Sequence, residues 1–324
     1  MPSLQTSDIA IIGSGVAGLA AARVARSAGR SVCILDKGWR VGGRVSTRRA
    51  DGFTFNHGAQ FLTARQDTFV TACADASAAG ALRPWQVAGR EAFCGAPTMR
   101  DFPTFLGAGL AIHQQIEVTT ITQEGGFVTL HDADGPVARA QQLLVTAPAP
   151  QTARLLTAVA EDLAATARTA VYAPCWTGMY GFDDDALSAL SAPVSNNGGP
   201  VGWACWEASR PSATATDTAG SALVVQAAPD WSEAELERDA ETIADALLAA
   251  FQATIGASLP APRYRSAHRW RYARVTKVAD ETAPRQTPDG VIGVAGDWVS
   301  GARIEHAYMS GHHAMTTLLE MASP

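Results

Sequence analysis

Three glycines near the start of the chain have the spacing that a bound pyrophosphate requires. An apolar strand beginning at Ile9 runs into Gly13-Ser14-Gly15-Val16-Ala17-Gly18, and the pattern then predicts a helix over residues 19–28. In such a turn, backbone amides and the positive end of the helix dipole face the phosphates. A second strand, predicted over residues 31–35, ends in Asp36, whose carboxylate can bind ribose hydroxyls. The predicted contacts to one half of a dinucleotide are Gly13, Ser14, Gly15, Ala17, Gly18 and Asp36.

A second glycine turn follows Asp36-Lys37 and precedes the segment NHGAQF at residues 56–61. The paired glycines Gly42 and Gly43 allow close backbone approach, and the planar guanidinium of Arg44 suits a phosphate. A basic turn at this spacing favours FAD over a nicotinamide cofactor, because in the extended FAD-binding fold the chain passes the pyrophosphate a second time here. The predicted contacts in this region are Lys37, Gly42, Gly43, Arg44, Ala59, Gln60 and Phe61.

The C-terminal part supplies a third element of the predicted site. A strand over residues 291–295 leads into Gly296-Asp297, and a helix is predicted from about Glu305 to Met321. A carboxylate at that strand end can bind ribityl hydroxyls, and the helix would direct its N-terminal amides at the flavin ring. The alternative is that Asp297 is a helix cap or turn residue. The predicted contacts are Gly296, Asp297, Glu305, His306 and Ala307.

Few residues offer acid–base chemistry. His268, Trp270 and Tyr272 alternate, so they would share one face of a strand and could line the cavity. A packed, structural role for His268 is the more common alternative. The catalytic candidates are Gln60, His268 and Arg303, and no strong catalytic signature singles out any of them.

Composition narrows the class of protein. A net charge of −6 and a pI near 5.6 argue against a general nucleic-acid partner. The 5 cysteines are scattered without a CxxC pair, so neither a disulfide framework nor a metal site is predicted. The first residues lack a signal-peptide pattern, and no apolar run reaches the length of about 20 residues that spans a bilayer. We therefore expect a soluble, cytoplasmic protein that binds neither nucleic acid nor membrane.

The predicted fold class is α/β: an FAD-binding Rossmann-type domain with an inserted α+β substrate domain built on an antiparallel sheet. A chain of 324 residues normally forms two domains. We assign residues 1–70, 103–150 and 264–324 to the FAD-binding domain, and residues 71–102 and 151–263 to the substrate domain. The inserted part is predicted to contain helices over residues 152–168 and 232–255 and strands over residues 172–182, 201–207 and 222–227.

Taken together, these blocks resemble the flavin amine oxidase superfamily, and within it the renalase-like flavoproteins. The resemblance spans nearly the whole chain and rests on GSGVAGL, DK, GGR, HGAQF, TAPAP at residues 146–150, HRWRYAR at residues 268–274, and GDW followed by ARIEHAYMSG. Asn56 stands where the family usually has an acid, and His306 where a glycine is common.

The resemblance implies the chemistry of the site. A renalase-like protein would take hydride from misreduced 2- or 6-dihydro isomers of NAD(P), giving NAD(P)+, and O2 would reoxidise the flavin to give hydrogen peroxide. The position of an amine oxidase aromatic cage falls at Ala302 or Arg303, where a guanidinium would repel a cationic amine. No cysteine follows Cys205, so FAD is expected to be non-covalent. The alternatives are an amine oxidase or desaturase-like enzyme acting on another donor, and a non-catalytic flavoprotein.

Overall fold

The structure is a computed structural model, and it describes residues 4–183, 187, 190, 193–195, 198–211 and 220–321. In chain order the strands are β1 (Gln5–Ile12), β2 (Val32–Asp36), β3 (Arg48–Ala50), β4 (Phe53–Phe55), β5 (Leu82–Val87), β6 (Arg90–Gly95), β7 (Ile112–Gln114), β8 (Thr120–Glu124), β9 (Phe127–His131), β10 (Pro136–Val145), β11 (Val171–Phe182), β12 (Val194–Ser195), β13 (Val201–Trp206), β14 (Ser221–Ala227), β15 (Tyr264–Lys277) and β16 (Ile292–Val294). The helices are α1 (Val16–Ser27), α2 (Asp67–Ala78), α3 (Asp101–Leu106), α4 (Ala149–Leu156), α5 (Glu161–Arg168), α6 (Pro229–Ala234), α7 (Ala240–Ile255), α8 (Asp297–Ser300) and α9 (Ile304–Met321), with a 3-10 turn at Glu207–Ser209. Among the helices in these ranges, none combines the length and the apolar character needed to cross a bilayer.

The first sheet has the strand order β7-β2-β1-β10-β9-β8, and β16 pairs with the C-terminal part of β10. Strands β7, β2, β1, β10 and β16 are parallel, whereas β9 and β8 continue the sheet antiparallel. The last four residues of β1 are buried, as expected for a central parallel strand covered on both faces. Ligands of open α/β sheets bind outside the carboxyl ends of such strands, so this edge is where a site is expected.

Helices cover both faces of this sheet. On one face α1 lies against α9, where Gly311 approaches so closely that a Cβ would collide with the carbonyl oxygen of Ala17. On the other face α4 and α5 bury Leu156 and Leu163 in the same core as Leu143 of β10. The nucleotide-binding unit is therefore a layered α/β structure.

The second sheet is antiparallel, with the order β12-β13-β14-β11-β15. One face is covered by α7 through Ile243, Leu247 and Phe251. Phe53 and Phe55, from the β3–β4 hairpin, pack with residues of β11 and β14 in a separate small core. The structure thus confirms the predicted α/β fold class and the antiparallel sheet of the inserted part.

Several element boundaries differ from the predictions. The helix predicted over residues 152–168 is two helices, α4 and α5, and that over residues 232–255 is α6 and α7. The side chain of Asp239 accepts a hydrogen bond from the Thr242 N–H and begins α7 there, which is the usual role of Asp before a helix. Hairpins β3–β4 and β5–β6 were not predicted, because Pro84 and the Gly-bearing turns obscured their alternation.

The predicted domain boundaries also differ from the structure. Helices α4 and α5, assigned by sequence to the substrate domain, pack in the core of the first sheet. The segment of residues 71–102, assigned likewise, buries Cys73, Leu82 and Trp85 in the core that holds α1 and α9. Both segments are amphipathic, and their pattern marks an apolar face without showing which surface it covers.

Candidate functional site

A cavity of about 1750 Å³ opens at the carboxyl edge of the first sheet. Ile12, Asp36 and Thr146, at the ends of β1, β2 and β10, all line it. Pockets for one drug-sized ligand usually measure about 300–1,000 Å³. The cavity is therefore large enough for a dinucleotide and a second molecule together.

The glycine turn between β1 and α1 forms one end of the cavity. Gly13 has φ +107°, which favours glycine, and a Cβ at Gly18 would collide with the Gly13 carbonyl oxygen. Gly15 differs from both, because a Cβ built there meets no protein atom within 4 Å. It is the N-cap of α1, and no side chain caps that helix. The open space before Gly15 and the free amides of α1 fit a pyrophosphate.

Asp36 lies on the cavity wall at the end of β2. Its carboxylate accepts hydrogen bonds from the Ser14 N–H (2.5 Å), the Ser14 hydroxyl (2.8 Å) and the Gly38 N–H (2.6 Å). The acid predicted to bind ribose therefore also holds the glycine turn in place.

The second glycine turn lies directly against the first. The Gly42 N–H donates to the Ser14 carbonyl at 2.9 Å, and Gly15 and Gly42 form a parallel bridge. Gly43 has φ +53°, and a Cβ there would meet the Gly15 Cα at 3.7 Å. The two predicted pyrophosphate turns thus form one surface.

Arg44 and Asp297 were predicted as separate cofactor contacts, and the structure joins them in one ion pair. The two Arg44 Nη atoms donate to the two Asp297 carboxylate oxygens at 2.6 and 2.7 Å. Tyr172 donates its hydroxyl to Asp297 Oδ1 at 3.1 Å, and burial followed by the Asp297 charge raises the pKa of Tyr172. Arg44 and Asp297 both line the cavity, so a ligand bound there can contact them although they are already paired with each other.

Another part of the cavity wall, which we call the histidine end, is aromatic and consists of His57, His268 and Trp270. The His57 ring lies 5.3 Å from the Trp270 ring in a stacked arrangement and 5.2 Å from the His268 ring edge-on. The Trp270 Nε1–H donates to the His57 carbonyl at 3.0 Å. Exposure alternates along β15, since Arg269 and Arg271 are exposed whereas His268, Trp270 and Tyr272 are partly buried. Both arginines nevertheless contribute to the lining of the cavity.

Both histidines of this wall are neutral at pH 7. Burial, followed by the charges of His268 and Arg48, lowers the pKa of His57 to about 3. Burial and Arg48 lower the pKa of His268 to about 4. The sequence did not single out His57 as a site residue, although it lies within the NHGAQF segment, two residues before the predicted Ala59.

The catalytic candidate Gln60 does not reach the cavity wall. Its Nε2 donates to the carbonyls of Asn56 (2.5 Å) and Gly58 (2.9 Å), and its Oε1 accepts from Arg210 at 2.6 Å. Glu207 pairs with Arg210 at 2.9 Å and accepts from both the backbone and the side-chain amide of Asn56. Asn56, Gln60, Glu207 and Arg210, which we call the clamp network, therefore fix the loop that carries His57.

Other predicted contacts also lie away from the wall. Glu305 is 1% exposed, and its carboxylate accepts hydrogen bonds from the N–H groups of Arg65 and Gln66 at 2.6 and 2.7 Å, so this side chain is held by the protein. The predicted residues that do not line the cavity are Ser14, Gly18, Gln60, Phe61, Glu305 and His306. The predicted residues that do line it are Gly13, Gly15, Ala17, Asp36, Lys37, Gly42, Gly43, Arg44, Ala59, His268, Gly296, Asp297, Arg303 and Ala307.

The fold and the cavity define a protein with a Rossmann-type dinucleotide-binding unit and a second, antiparallel sheet beside the site. Residues 11–75 match the family model of an NAD(P)-binding Rossmann-like domain. Residues 85–319, more than half of the chain, match that of the flavin containing amine oxidoreductases. The chain therefore belongs to the flavin containing amine oxidoreductase family. Membership implies an FAD-dependent oxidoreductase, and the open cradle at Gly15 and the ends of β2 and β16 fit that cofactor.

Solved structures show the same fold at low sequence identity. A putrescine oxidase bound to putrescine is 12% identical, has a TM-score of 0.74, and the match covers 98% of this chain and 100% of that one. Cyclohexylamine oxidase from Brevibacterium oxydans IH-35A is 13% identical, with a TM-score of 0.69 and coverage of 97% and 99%.

Curated relatives match only a short part of the chain. A 4,4'-diapophytoene desaturase (4,4'-diaponeurosporene-forming) from Staphylococcus aureus (strain bovine RF122 / ET3-1) is 52% identical over 50 residues, which is 15% of this chain and 10% of the relative. The counterpart from Staphylococcus haemolyticus (strain JCSC1435) is 50% identical over the same length. The match thus spans about a tenth of the length of these relatives.

Proposed function

We propose that this chain is an FAD-dependent oxidase of dihydronicotinamides. Its substrates are the misreduced 2- and 6-dihydro isomers of NAD(P), which lose a hydride to become NAD(P)+. O2 takes the two electrons, with two protons, and leaves as hydrogen peroxide. FAD is bound non-covalently and supplies the hydride acceptor.

The observation that carries this proposal is the charge of the cavity wall. The basic residues on the wall are Lys37, Arg40, Arg44, Arg48, Arg49, Arg100, Arg154, Arg269, Arg271 and Arg303, against the acids Asp36, Asp101, Glu117 and Asp297. Lys37 pairs with Glu117, Arg44 with Asp297, and Arg269 and Arg271 with Glu237. In the described residues this leaves five wall arginines without an acid within 4.0 Å, namely Arg40, Arg48, Arg49, Arg100 and Arg154. Such a wall attracts phosphates and disfavours both a cationic amine and a fully apolar chain.

The aromatic end of the cavity suits a dihydropyridine ring. Trp270 and the neutral rings of His57 and His268 offer flat, uncharged surfaces against which a planar ring packs. A dihydropyridine loses hydride from carbon and needs no protein base. The role of these residues is therefore to orient the ring and exclude water. His268 remains a candidate for that positioning role.

Non-covalent binding agrees with the chemistry of the wall. In the part of the chain that the structure describes, no cysteine lines the cavity. Four of the five cysteines, at positions 33, 73, 94 and 205, are buried elsewhere. Precipitation of the protein with acid should release the flavin into the supernatant. Yellow colour retained in the washed pellet would show a covalent link.

The test is anaerobic stopped-flow absorbance of the flavin-loaded protein. It is mixed separately with 2-, 4- and 6-dihydro NAD(P), with a panel of amines that includes putrescine, and with a polyene. We expect rapid bleaching of the flavin band by the 2- and 6-isomers, and peroxide once air is admitted. Bleaching by amines or polyenes alone would favour an amine oxidase or a desaturase-like enzyme. No bleaching by any donor would favour a non-catalytic flavoprotein.

Arg303→Ala sharpens the same test. Arg303 lies on the wall, its side chain is 44% exposed, and its nearest acid is Glu305 at 4.0 Å. If it contacts substrate phosphate, the variant should need a higher concentration of the isomers for the same bleaching rate. Arg139→Ala, away from the cavity against Phe127, is the matched control. The predicted cytoplasmic location, and the lack of nucleic-acid and membrane partners, stay predictions.

A further inference from the structure

Four residues at the rim of the cavity are not explained by the predicted cofactor contacts. Trp39 and Arg40 follow β2, Arg49 lies in β3, and Arg100 directly precedes α3. We call Trp39, Arg40, Arg49 and Arg100 the rim cluster, and all four line the cavity. Trp39 is 78% exposed, more than any other large apolar side chain in the described part of the chain. An exposed indole that lines the same cavity as three arginines offers an aromatic face to a ligand.

The arginines of the rim cluster lack acidic partners. Within the described ranges, Arg40, Arg49 and Arg100 take part in none of the ion pairs at 4.0 Å or less. The adjacent acid, Asp101, attracts Arg100 but directs Oδ2 to the N–H and hydroxyl of Thr98, at 2.9 and 2.7 Å.

Arg100 is held in place by the chain around it. Its Nη2 donates to the Ser46 hydroxyl at 3.0 Å, and its backbone N–H donates to Thr47 Oγ1 at 3.3 Å. Its Nε is buried without a hydrogen-bond partner. Burial, followed by the charges of Arg40 and Arg49, lowers the pKa of Arg100. Like charges gathered at a half-buried position are unfavourable until an anion joins them.

We propose that the rim cluster binds the phosphorylated adenosine half of the substrate dinucleotide. The adenine stacks on the indole of Trp39, and Arg40, Arg49 and Arg100 bind its phosphate groups. Aromatic stacking and guanidinium forks are the usual means of holding a base and a phosphate. This inference rests on the proposed function, and it explains how the protein binds a second dinucleotide. The cofactor has other predicted contacts, namely the amides at the start of α1, the close approach at Gly42-Gly43, and Arg44.

The test uses the flavin-loaded protein and adenosine 2′,5′-bisphosphate as the probe. Isothermal titration calorimetry should detect binding to the wild type, with inorganic phosphate and adenosine in parallel titrations. Arg49→Ala and Arg100→Ala should each weaken binding by about tenfold, since each removes a charge-assisted contact. Trp39→Ala should weaken binding of both the bisphosphate and adenosine by at least about fivefold. Arg90→Ala, an exposed arginine of β6 away from the wall, is the matched control and should leave the affinity unchanged.

The outcomes separate this inference from the proposed function. No binding of the probe to the flavin-loaded wild type, or equal binding to all variants, would overturn the rim site. Loss of flavin from Arg49→Ala or Arg100→Ala would also overturn it, because the arginines would then serve the cofactor. In one outcome the rim variants bind the bisphosphate more weakly, but no dihydro isomer reduces the flavin. That outcome would retain the rim cluster as a site for phosphorylated adenosine and reject the proposed reaction. In the opposite outcome the isomers reduce the flavin, but the variants bind the probe as tightly as the wild type. That outcome would support the proposed reaction and reject the rim site.

Discussion

The two ends of the cavity are built by different means. At the glycine end, two short turns meet through backbone contacts between Gly15 and Gly42, and Gly15 faces open space. At the histidine end, side chains from distant segments meet, since His57 stacks on Trp270 across more than 200 residues of chain. Under the proposed function, cofactor recognition would depend on local backbone geometry, whereas substrate recognition would depend on how the second sheet is placed.

The electrostatics of the two ends differ in the same way. The carboxylates of the glycine end, Asp36 and Asp297, are fully engaged by the protein. The histidine end has neutral imidazoles with Arg48 close enough to lower their pKa values. Under the proposed function, the neutral rings of the histidine end would pack against the substrate ring.

The largest effect is expected from breaking the clamp network behind the histidine end. Glu207 and Arg210 are 7% and 4% exposed, so Glu207→Ala leaves a buried guanidinium without its carboxylate. The free energy of unfolding should fall by about 3–5 kcal/mol, measured by urea denaturation of the flavin-loaded protein. Glu161→Ala, which breaks the exposed pair with Arg168, is the control and should change stability little. Similar small losses in both variants would show that the clamp network does not hold the loop of His57.

At the glycine end, Arg44→Ala and Asp297→Ala should each reduce FAD retention. Each variant leaves the other charge at the wall unpaired, so FAD should bind at least about tenfold more weakly. The double variant should lose little more than either single one, because both singles break the same pair. The measurement is flavin content and fluorescence titration of the apoprotein. Normal flavin occupancy in Arg44→Ala would show that Arg44 does not contribute to FAD binding. Additive losses of FAD affinity in the double variant would show that the two residues act as independent contacts.

Gly15→Ala tests whether the glycine end acts through backbone alone. Because no protein atom lies within 4 Å of a Cβ at Gly15, and its φ of −72° suits alanine, the fold should persist. The methyl group would occupy the cradle, so flavin content should fall severalfold with an unchanged far-UV circular dichroism spectrum. Gly18→Ala, whose Cβ would collide with the Gly13 carbonyl oxygen, should lose both fold and flavin. Full flavin occupancy in Gly15→Ala would show that the pyrophosphate of the cofactor does not bind next to Gly15.

The smallest effect expected is a pH dependence from the histidine end. The folded pKa of His57 is about 3, against 6.5 for an ordinary histidine. Between these values the unfolded chain binds a proton that the folded chain does not, so the free energy of unfolding falls as the pH falls. The slope from His57 is at most about 1.4 kcal/mol per pH unit. His57→Asn should reduce the stability difference between pH 7 and pH 5, while His131→Asn, on the surface of β9, should not. Equal slopes in all three proteins would contradict a neutral, buried His57.

Much of the glycine end could be predicted from the sequence. Gly13, Gly15, Asp36, Gly42 and Gly43 all lie on the wall, because strand-turn-helix geometry is fixed by neighbours in sequence. The strands of the inserted part were predicted nearly to their ends, since alternation and turn residues are local signals as well. The family assignment rests on these same blocks and on the match over residues 85–319.

Side-chain partners, in contrast, were decided by the tertiary structure. The sequence did not indicate that Arg44 would pair with Asp297, 253 residues away, or that Glu305 would bind the backbone of Arg65 and Gln66. Gln60 was expected at the cavity, yet Arg210 from the inserted part holds it in the clamp network. A buried polar group takes whichever partner packing brings within reach, and an unpaired one is costly. The sequence therefore determined the backbone of the two glycine turns, and packing between distant segments determined which side chains line the rest of the cavity.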